Sequence, residues 1–111
     1  MFRKIINWYK ERKKIIKMTT TEAIKNPNAT LIDVREPYEL EMDGVVEGAI
    51  NIPLGEVPQK VEEIKEMAKP LVFFCRSGNR SATAAQFMQQ NGVEDVYNGG
   101  GADEVNEILN A

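Results

Sequence analysis

Apolar residues fall into short continuous runs that are separated by amphipathic stretches. Two runs, ATLIDV at 29–34 and LVFFC at 71–75, show little alternation of apolar and polar positions. Such runs are typical of strands that are covered on both faces in a parallel sheet. Weaker strands are predicted at AINIP, 49–53, at VEDVYN, 93–98, and at KIIKM, 14–18, so that five strands are expected.

Helical stretches lie between these strands, and proline, glycine and hydroxyl residues mark their ends. The predicted helices cover residues 37–42, 57–67, 81–91 and 102–109, and a helical turn over 19–24 ends before Pro27. Strand followed by helix, repeated with short connections, predicts an α/β fold. We expect a three-layer sandwich in which a five-stranded parallel sheet is flanked by helices.

Charge divides the chain into a basic leader and an acidic body. Residues 1–17 carry seven basic side chains and one acidic side chain, whereas residues 18–111 carry seven basic and sixteen acidic side chains. Nucleic acid is therefore not an expected partner, because neutralising phosphates requires a basic face.

The leader has apolar residues at helical spacing, namely Phe2, Ile5, Ile6 and Tyr9. We predict a basic amphipathic helix over residues 1–13 and one globular domain over residues 14–111. Packing of this helix on the acidic body is expected, and contact with a membrane surface or a partner is the alternative. The leader lacks the long apolar run of a secretion signal, which predicts a cytoplasmic protein.

The chain contains no histidine and one cysteine. Histidine-dependent catalytic triads, histidine-ligated zinc, iron–sulfur clusters and internal disulfides are therefore excluded. No metal and no other cofactor is expected. The remaining chemistry rests on carboxylates, Lys and Arg, hydroxyls, backbone amides and the one thiol.

That thiol, Cys75, ends a predicted strand and precedes a predicted helix. The connection consists of Arg76, Ser77, Gly78, Asn79 and Arg80, with Ser81 opening the helix. Such a connection can curl so that its N–H groups converge at the positive end of the helix, and the two arginines add positive charge. We therefore expect a lowered pKa and a nucleophilic Cys75; the alternative is an inert buried cysteine.

Polar and glycine residues end two other strands at the same sheet edge. Asp33 and Arg35 are expected to hold the Cys75 loop by ion pairs and hydrogen bonds, or else to touch substrate. Gly99 and Gly100, with Gly101, form either a tight turn or a bare backbone wall that lets a substrate approach the thiol.

Four motifs, in this order and spacing, resemble those of the rhodanese family of sulfurtransferases over about residues 15–109. They are IDVREPYE at 32–39, DGVVEGAINIP at 43–53, CRSGNRS at 75–81 and NGGG at 98–101. The resemblance implies a rhodanese fold and a Cys75 that accepts a sulfane sulfur as a persulfide. It also implies that the loop 76–81 cradles the persulfide anion.

The chain departs from the family pattern at two places. Val45 and Val46 stand where relatives usually have His-Ile, and Ala102-Asp103-Glu104-Val105 stands where relatives tend to place a tryptophan. Thiosulfate carries two negative charges, so acidic residues beside the site would repel it. The resemblance therefore does not fix the identity of the sulfur donor.

The resemblance implies the activity of a thiosulfate:cyanide-type sulfurtransferase. Its partners would be a small-molecule sulfur donor and a sulfur acceptor. The acceptor would be cyanide, a thiol or an acceptor protein. The alternatives are a non-catalytic rhodanese-like binding module and, less favoured, a cysteine phosphatase or arsenate reductase. The resemblance implies that such phosphatases have an arginine six positions after the cysteine, where this chain has Ser81.

Overall fold

A computed structural model describes residues 17–111 of the chain. The helix predicted over residues 1–13, and most of the strand predicted at 14–18, lie outside these residues. None of the helices within residues 17–111 is long and apolar enough to cross a membrane.

Helices and strands alternate along the described chain. The strands are β1 (Thr30–Asp33), β2 (Ile50–Asn51), β3 (Leu71–Cys75) and β4 (Val96–Gly101). The α-helices are α1 (Thr20–Lys25), α2 (Pro37–Asp43), α3 (Val61–Lys65), α4 (Asn79–Gln90) and α5 (Ala102–Leu109), and a 3₁₀ helix over Leu54–Lys60 precedes α3.

The four strands form one sheet in the order β2-β1-β3-β4, and all neighbouring pairs are parallel. One apolar cluster on the sheet is built from Phe73, Met88 and Ile64 among others, and a second from Phe74, Ile24 and Val105 among others. Residues 73 and 74 are neighbours whose side chains point to opposite faces, so the sheet is covered on both sides. The three-layer α/β architecture is confirmed.

The expected number of five strands is wrong for residues 17–111, where the sheet has four. Lys17 and Met18 are not in a strand; the Met18 N–H donates to the Tyr97 hydroxyl at 3.1 Å instead of to a strand backbone. Helix α1 packs against β4 and α5.

Several boundaries also differ from the prediction. The strand expected at 93–98 is shifted to β4, because Val93 continues the turn after α4 by donating its N–H to the Met88 carbonyl. The helix expected at 57–67 is a 3₁₀ helix followed by the shorter α3, with Pro58 inside the 3₁₀ part. Proline removes a backbone donor and so favours such an irregular segment.

Candidate active site

The Cys75 sulfur lies at the carboxyl end of β3, in the middle of the sheet. The residue is fully buried, and the N–H of Gly78 donates to its Sγ at 3.0 Å. Burial raises the pKa of Cys75, but hydrogen bonds outweigh it, so that the pKa lies below its ordinary value. These bonds come from the Ser81 hydroxyl, when its O–H is turned towards the sulfur, and from the N–H groups of Ser81, Gly78 and Ser77. The sequence-based expectation of a lowered pKa agrees with this geometry.

The connection that follows Cys75 is shorter than the sequence predicts. Helix α4 begins at Asn79, so only Arg76, Ser77 and Gly78 lie between strand and helix. Gly78 makes this sharp reversal with φ of +98°, a left-handed conformation that side chains other than glycine rarely adopt. Asn79 and Arg80 therefore belong to the first helical turn, and the N–H of the N-cap residue Gly78 donates to the sulfur.

Asn98 links β4 to the Cys75 loop and to the first turn of α4. Its side chain donates to the Gly78 carbonyl at 3.0 Å and accepts from the Ser81 hydroxyl at 2.7 Å and from the Gly100 N–H at 3.0 Å. Sequence reasoning did not include Asn98 among the candidate residues. The available signal was an amide side chain at the end of a strand, directly before glycines.

Gly101, at the end of β4, lets the Cys75 loop approach closely. Gly99 lies at a bulge, since Phe73 pairs with Asn98 whereas Phe74 pairs with Gly100. A Cβ atom placed on Gly101 would collide with the carbonyl oxygen of Arg76. The bare backbone thus serves contact between loop and strand.

Arg80 is held in a two-pronged ion pair with Glu39 of α2. The two guanidinium nitrogens lie 2.7 and 2.9 Å from the two carboxylate oxygens, and Glu39 also accepts the Glu36 N–H at 2.8 Å. The Arg80 hydrogen bond and the Glu36 N–H lower the pKa of Glu39 to about 2, and Glu39 raises the pKa of Arg80. Glu39 links α2 to the first turn of α4, a role that sequence reasoning missed.

This ion pair predicts an acid-dependent loss of stability. The pKa of Glu39 falls from 4.5 to about 2 on folding, so its contribution is complete above pH 4.5 and is lost as pH falls towards 2. We expect Glu39→Gln to lower the unfolding free energy by on the order of 2 kcal/mol at pH 7 and much less near pH 2. Urea unfolding of both proteins at several pH values measures this; parallel pH curves would contradict it.

Arg76 points to solvent, in contrast to Arg80. Its side chain is 73% exposed and its guanidinium lies 4.0 Å from the Asp43 carboxylate. A cavity of about 220 Å³ lies beside it and is lined by Arg35, Asp43, Arg76, Ala102 and Asp103. The acidic Asp103, which the sequence placed near the site, therefore lines a cavity that adjoins the first loop residue.

Asp33 and Arg35 form a buried pair with each other. Both side chains are 2% exposed; the Arg35 Nη2 lies 2.7 Å from the Asp33 carboxylate and donates to the Gly44 carbonyl at 3.1 Å. Within residues 17–111 the pair makes no hydrogen bond to residues 75–81. The Arg35 side chain donates to Asp33 and to the Gly44 carbonyl after α2. Support of the Cys75 loop by this pair stays a prediction.

Comparison with known proteins identifies the family to which this chain belongs. The family model described as "Rhodanese-like domain" matches residues 19–106. The chain belongs to the rhodanese-like domain family. The matched region includes all four motifs and every candidate residue of the loop.

Relatives of this rhodanese-like domain include proteins named as sulfurtransferases. The Bacillus subtilis protein YqhL, described as uncharacterized, is 40% identical over 92 residues, which cover 81% of this chain and 71% of that protein. A rhodanese-related protein of Thermoplasma volcanium is 36% identical with a TM-score of 0.65, covering 82% of this chain and 90% of its own. The human single-domain sulfurtransferase TSTD1 is 30% identical with a TM-score of 0.58, covering 72% of this chain and 82% of its own.

Proposed function

We propose that this rhodanese-like domain is a sulfurtransferase that carries a sulfane sulfur on Cys75. The observation that carries the proposal is the Gly78 N–H at 3.0 Å from a buried sulfur at the end of β3. An amide aimed at sulfur stabilises negative charge there without reorganisation during reaction. Named sulfurtransferases among the structural relatives support the same activity.

The proposed reaction has two balanced steps. The Cys75 thiolate attacks the outer sulfur of thiosulfate; a bond forms between the two sulfurs while the bond to the sulfonate group breaks, and sulfite leaves with that electron pair. A thiolate or cyanide then attacks the terminal sulfur and regenerates the Cys75 thiolate. The acceptor must be external, because the chain has no second cysteine.

The proposed cradle for the persulfide consists of the loop and the first turn of α4. The Gly78 N–H donates to the sulfur at 3.0 Å, and the N–H groups of Ser81, Gly78 and Ser77 lower the pKa of Cys75. Arg80 acts on the same charge from its ion pair with Glu39, while exposed Arg76 is available to meet an incoming anionic donor. Asn79 belongs to the proposed cradle as the first residue of α4. Asp33, Arg35, Gly99 and Gly100 support the sheet edge on which the loop rests.

The same proposal includes thiosulfate as the donor and a small thiol, cyanide or a protein thiol as the acceptor. It also includes a cytoplasmic location. The domain division at residue 14 and a packing role for residues 1–13 also remain predictions.

Intact-protein mass spectrometry after incubation with thiosulfate tests the proposal. We expect the wild type to gain the mass of one sulfur atom, to lose it on treatment with cyanide, and Cys75→Ser to gain none. A wild type that never gains sulfur from any donor tried would favour a binding module. Release of phosphate from an aryl phosphate would favour a cysteine phosphatase.

A further inference from the structure

The amide of Asn98 has a fixed orientation at the carboxyl end of β4. Its Nδ2 donates to the Gly78 carbonyl at 3.0 Å and its Oδ1 accepts from the Gly100 N–H at 3.0 Å. A carbonyl can only accept a hydrogen bond and an N–H can only donate one. The two contacts together therefore determine which end of the amide is oxygen, and that oxygen faces Ser81.

Ser81 has one hydroxyl proton and two polar neighbours. Its Oγ lies 2.7 Å from Asn98 Oδ1 and 3.4 Å from Cys75 Sγ. Because Asn98 Oδ1 accepts only, the Ser81 proton lies between the two oxygens. Ser81 then offers the sulfur a lone pair, and this arrangement suits a protonated Cys75 that donates its S–H.

Ionisation of Cys75 changes what the sulfur requires. A thiolate needs donors, and Ser81 can donate only if its O–H turns away from Asn98 towards Sγ. Asn98 Oδ1 would then keep only the Gly100 N–H. In a persulfide the negative charge moves to the terminal sulfur, so the inner Sγ no longer needs the Ser81 proton.

We propose that Asn98 is a positioning residue that competes with the Cys75 sulfur for the single hydroxyl proton of Ser81. The competition weakens stabilisation of the free thiolate and leaves the persulfide unaffected, so it favours the sulfur-loaded state. This inference rests on the proposed sulfur transfer. It assigns a role to Asn98, which lies outside the Cys75 loop.

A double-mutant cycle with Asn98→Ala and Ser81→Ala tests the competition. The ultraviolet absorbance of the thiolate is followed against pH, and the curve of a matched Cys75→Ser protein, which contains the ionisation of the three tyrosines, is subtracted. The difference reports on Cys75, because the chain has one cysteine. We expect Asn98→Ala to lower the Cys75 pKa by roughly 0.5–1 unit when residue 81 is serine. With alanine at position 81 the same change is expected to leave the pKa unaltered.

A purely structural role for Asn98 predicts the opposite sign. Loss of its bond to the Gly78 carbonyl would loosen the N–H that reaches the sulfur and would raise the pKa, whatever residue stands at 81. A raised pKa, or no dependence on residue 81, overturns the inference. The charged groups around the site, Arg80 with Glu39, Arg76 with Asp43, Asp33 with Arg35, and Glu104, are the same in all four proteins, so their effects cancel.

Two further variants guard against misfolding and indirect effects. Asn98→Asp keeps an acceptor for Ser81, and we expect it to raise the Cys75 pKa more with serine than with alanine at position 81. Asn51→Ala removes another amide side chain, which donates to the Asp33 and Arg35 carbonyls at 2.9 Å, and is expected to leave the pKa unchanged.

Sulfur loading measured on the same proteins separates the two proposals. A wild type that takes up sulfur while the cycle lacks the expected pattern overturns the Asn98 inference alone. A wild type that takes up none overturns the sulfurtransferase function.

Discussion

Replacing Arg35 with methionine is expected to lower the free energy of unfolding by about 3–5 kcal/mol. The Asp33 carboxylate is 2% exposed, and Arg35 is the cation that pairs with it in the structure. Without the guanidinium, a buried charge loses its partner, and the Gly44 carbonyl loses a donor. Such a loss is a large part of the roughly 5–15 kcal/mol that stabilises a typical domain. Urea unfolding at neutral pH measures it.

Two companion variants identify the cause. Arg76→Met makes the same chemical change at a side chain that is 73% exposed, so about 0–1 kcal/mol is expected. Asp33→Asn combined with Arg35→Met removes both charges and should restore part of the stability lost in the single variant. If Arg35→Met unfolds at the same urea concentration as Arg76→Met, the buried pair does not stabilise the fold.

Gly101→Ala is expected to impair both stability and sulfur transfer. Its new Cβ would collide with the carbonyl oxygen of Arg76, which is backbone and cannot turn aside. The φ of Gly101 is −91°, so the effect comes from lack of space and not from an unfavourable dihedral angle. Overpacking of this kind lowers the unfolding free energy by about 1–3 kcal/mol.

The effect on activity follows from the neighbours of Gly101. Gly101 pairs with Cys75 in the sheet, so the displaced segment is the one that begins the loop. A shift of about 1 Å in a reacting group can lower a rate by on the order of 100-fold, and at least about a tenfold loss of sulfur transfer is expected here.

Gly55→Ala is the matched control, because an added Cβ there meets nothing within 4 Å. It should alter stability by less than about 0.5 kcal/mol and leave transfer intact. Equal activity of the two variants would show that close packing of loop on strand is not needed.

The central strands are the part of the fold that local sequence predicts best. The strand predicted at 71–75 is found with those bounds, and β1 lies within the predicted range 29–34. Both are continuous apolar runs, and every residue of β3 is buried. Such a run needs cover on both faces, which favours a central position in a parallel sheet.

Peripheral elements depended on contacts that local sequence does not show. The shift of β4 towards the glycines follows from the turn after α4, where Val93 bonds back to Met88. The start of α4 at Asn79 depends on Gly78 adopting a positive φ. Composition alone did not distinguish this short connection from a longer one.

The sequence by itself determined the chemistry of the site. One cysteine at the end of an apolar strand, followed by a glycine-containing loop and a helix, is enough to predict a thiol with a lowered pKa, since strand ends and helix N-termini meet at one edge of a parallel sheet.

Only the tertiary structure decided which side chains surround that thiol. Arg80 pairs with Glu39, 41 positions away, and Ser81 bonds to Asn98, 17 positions away. Hydrogen bonds and ion pairs act over a few ångströms, so they depend on which strand ends the fold brings together. Distance along the chain therefore contains no information about them.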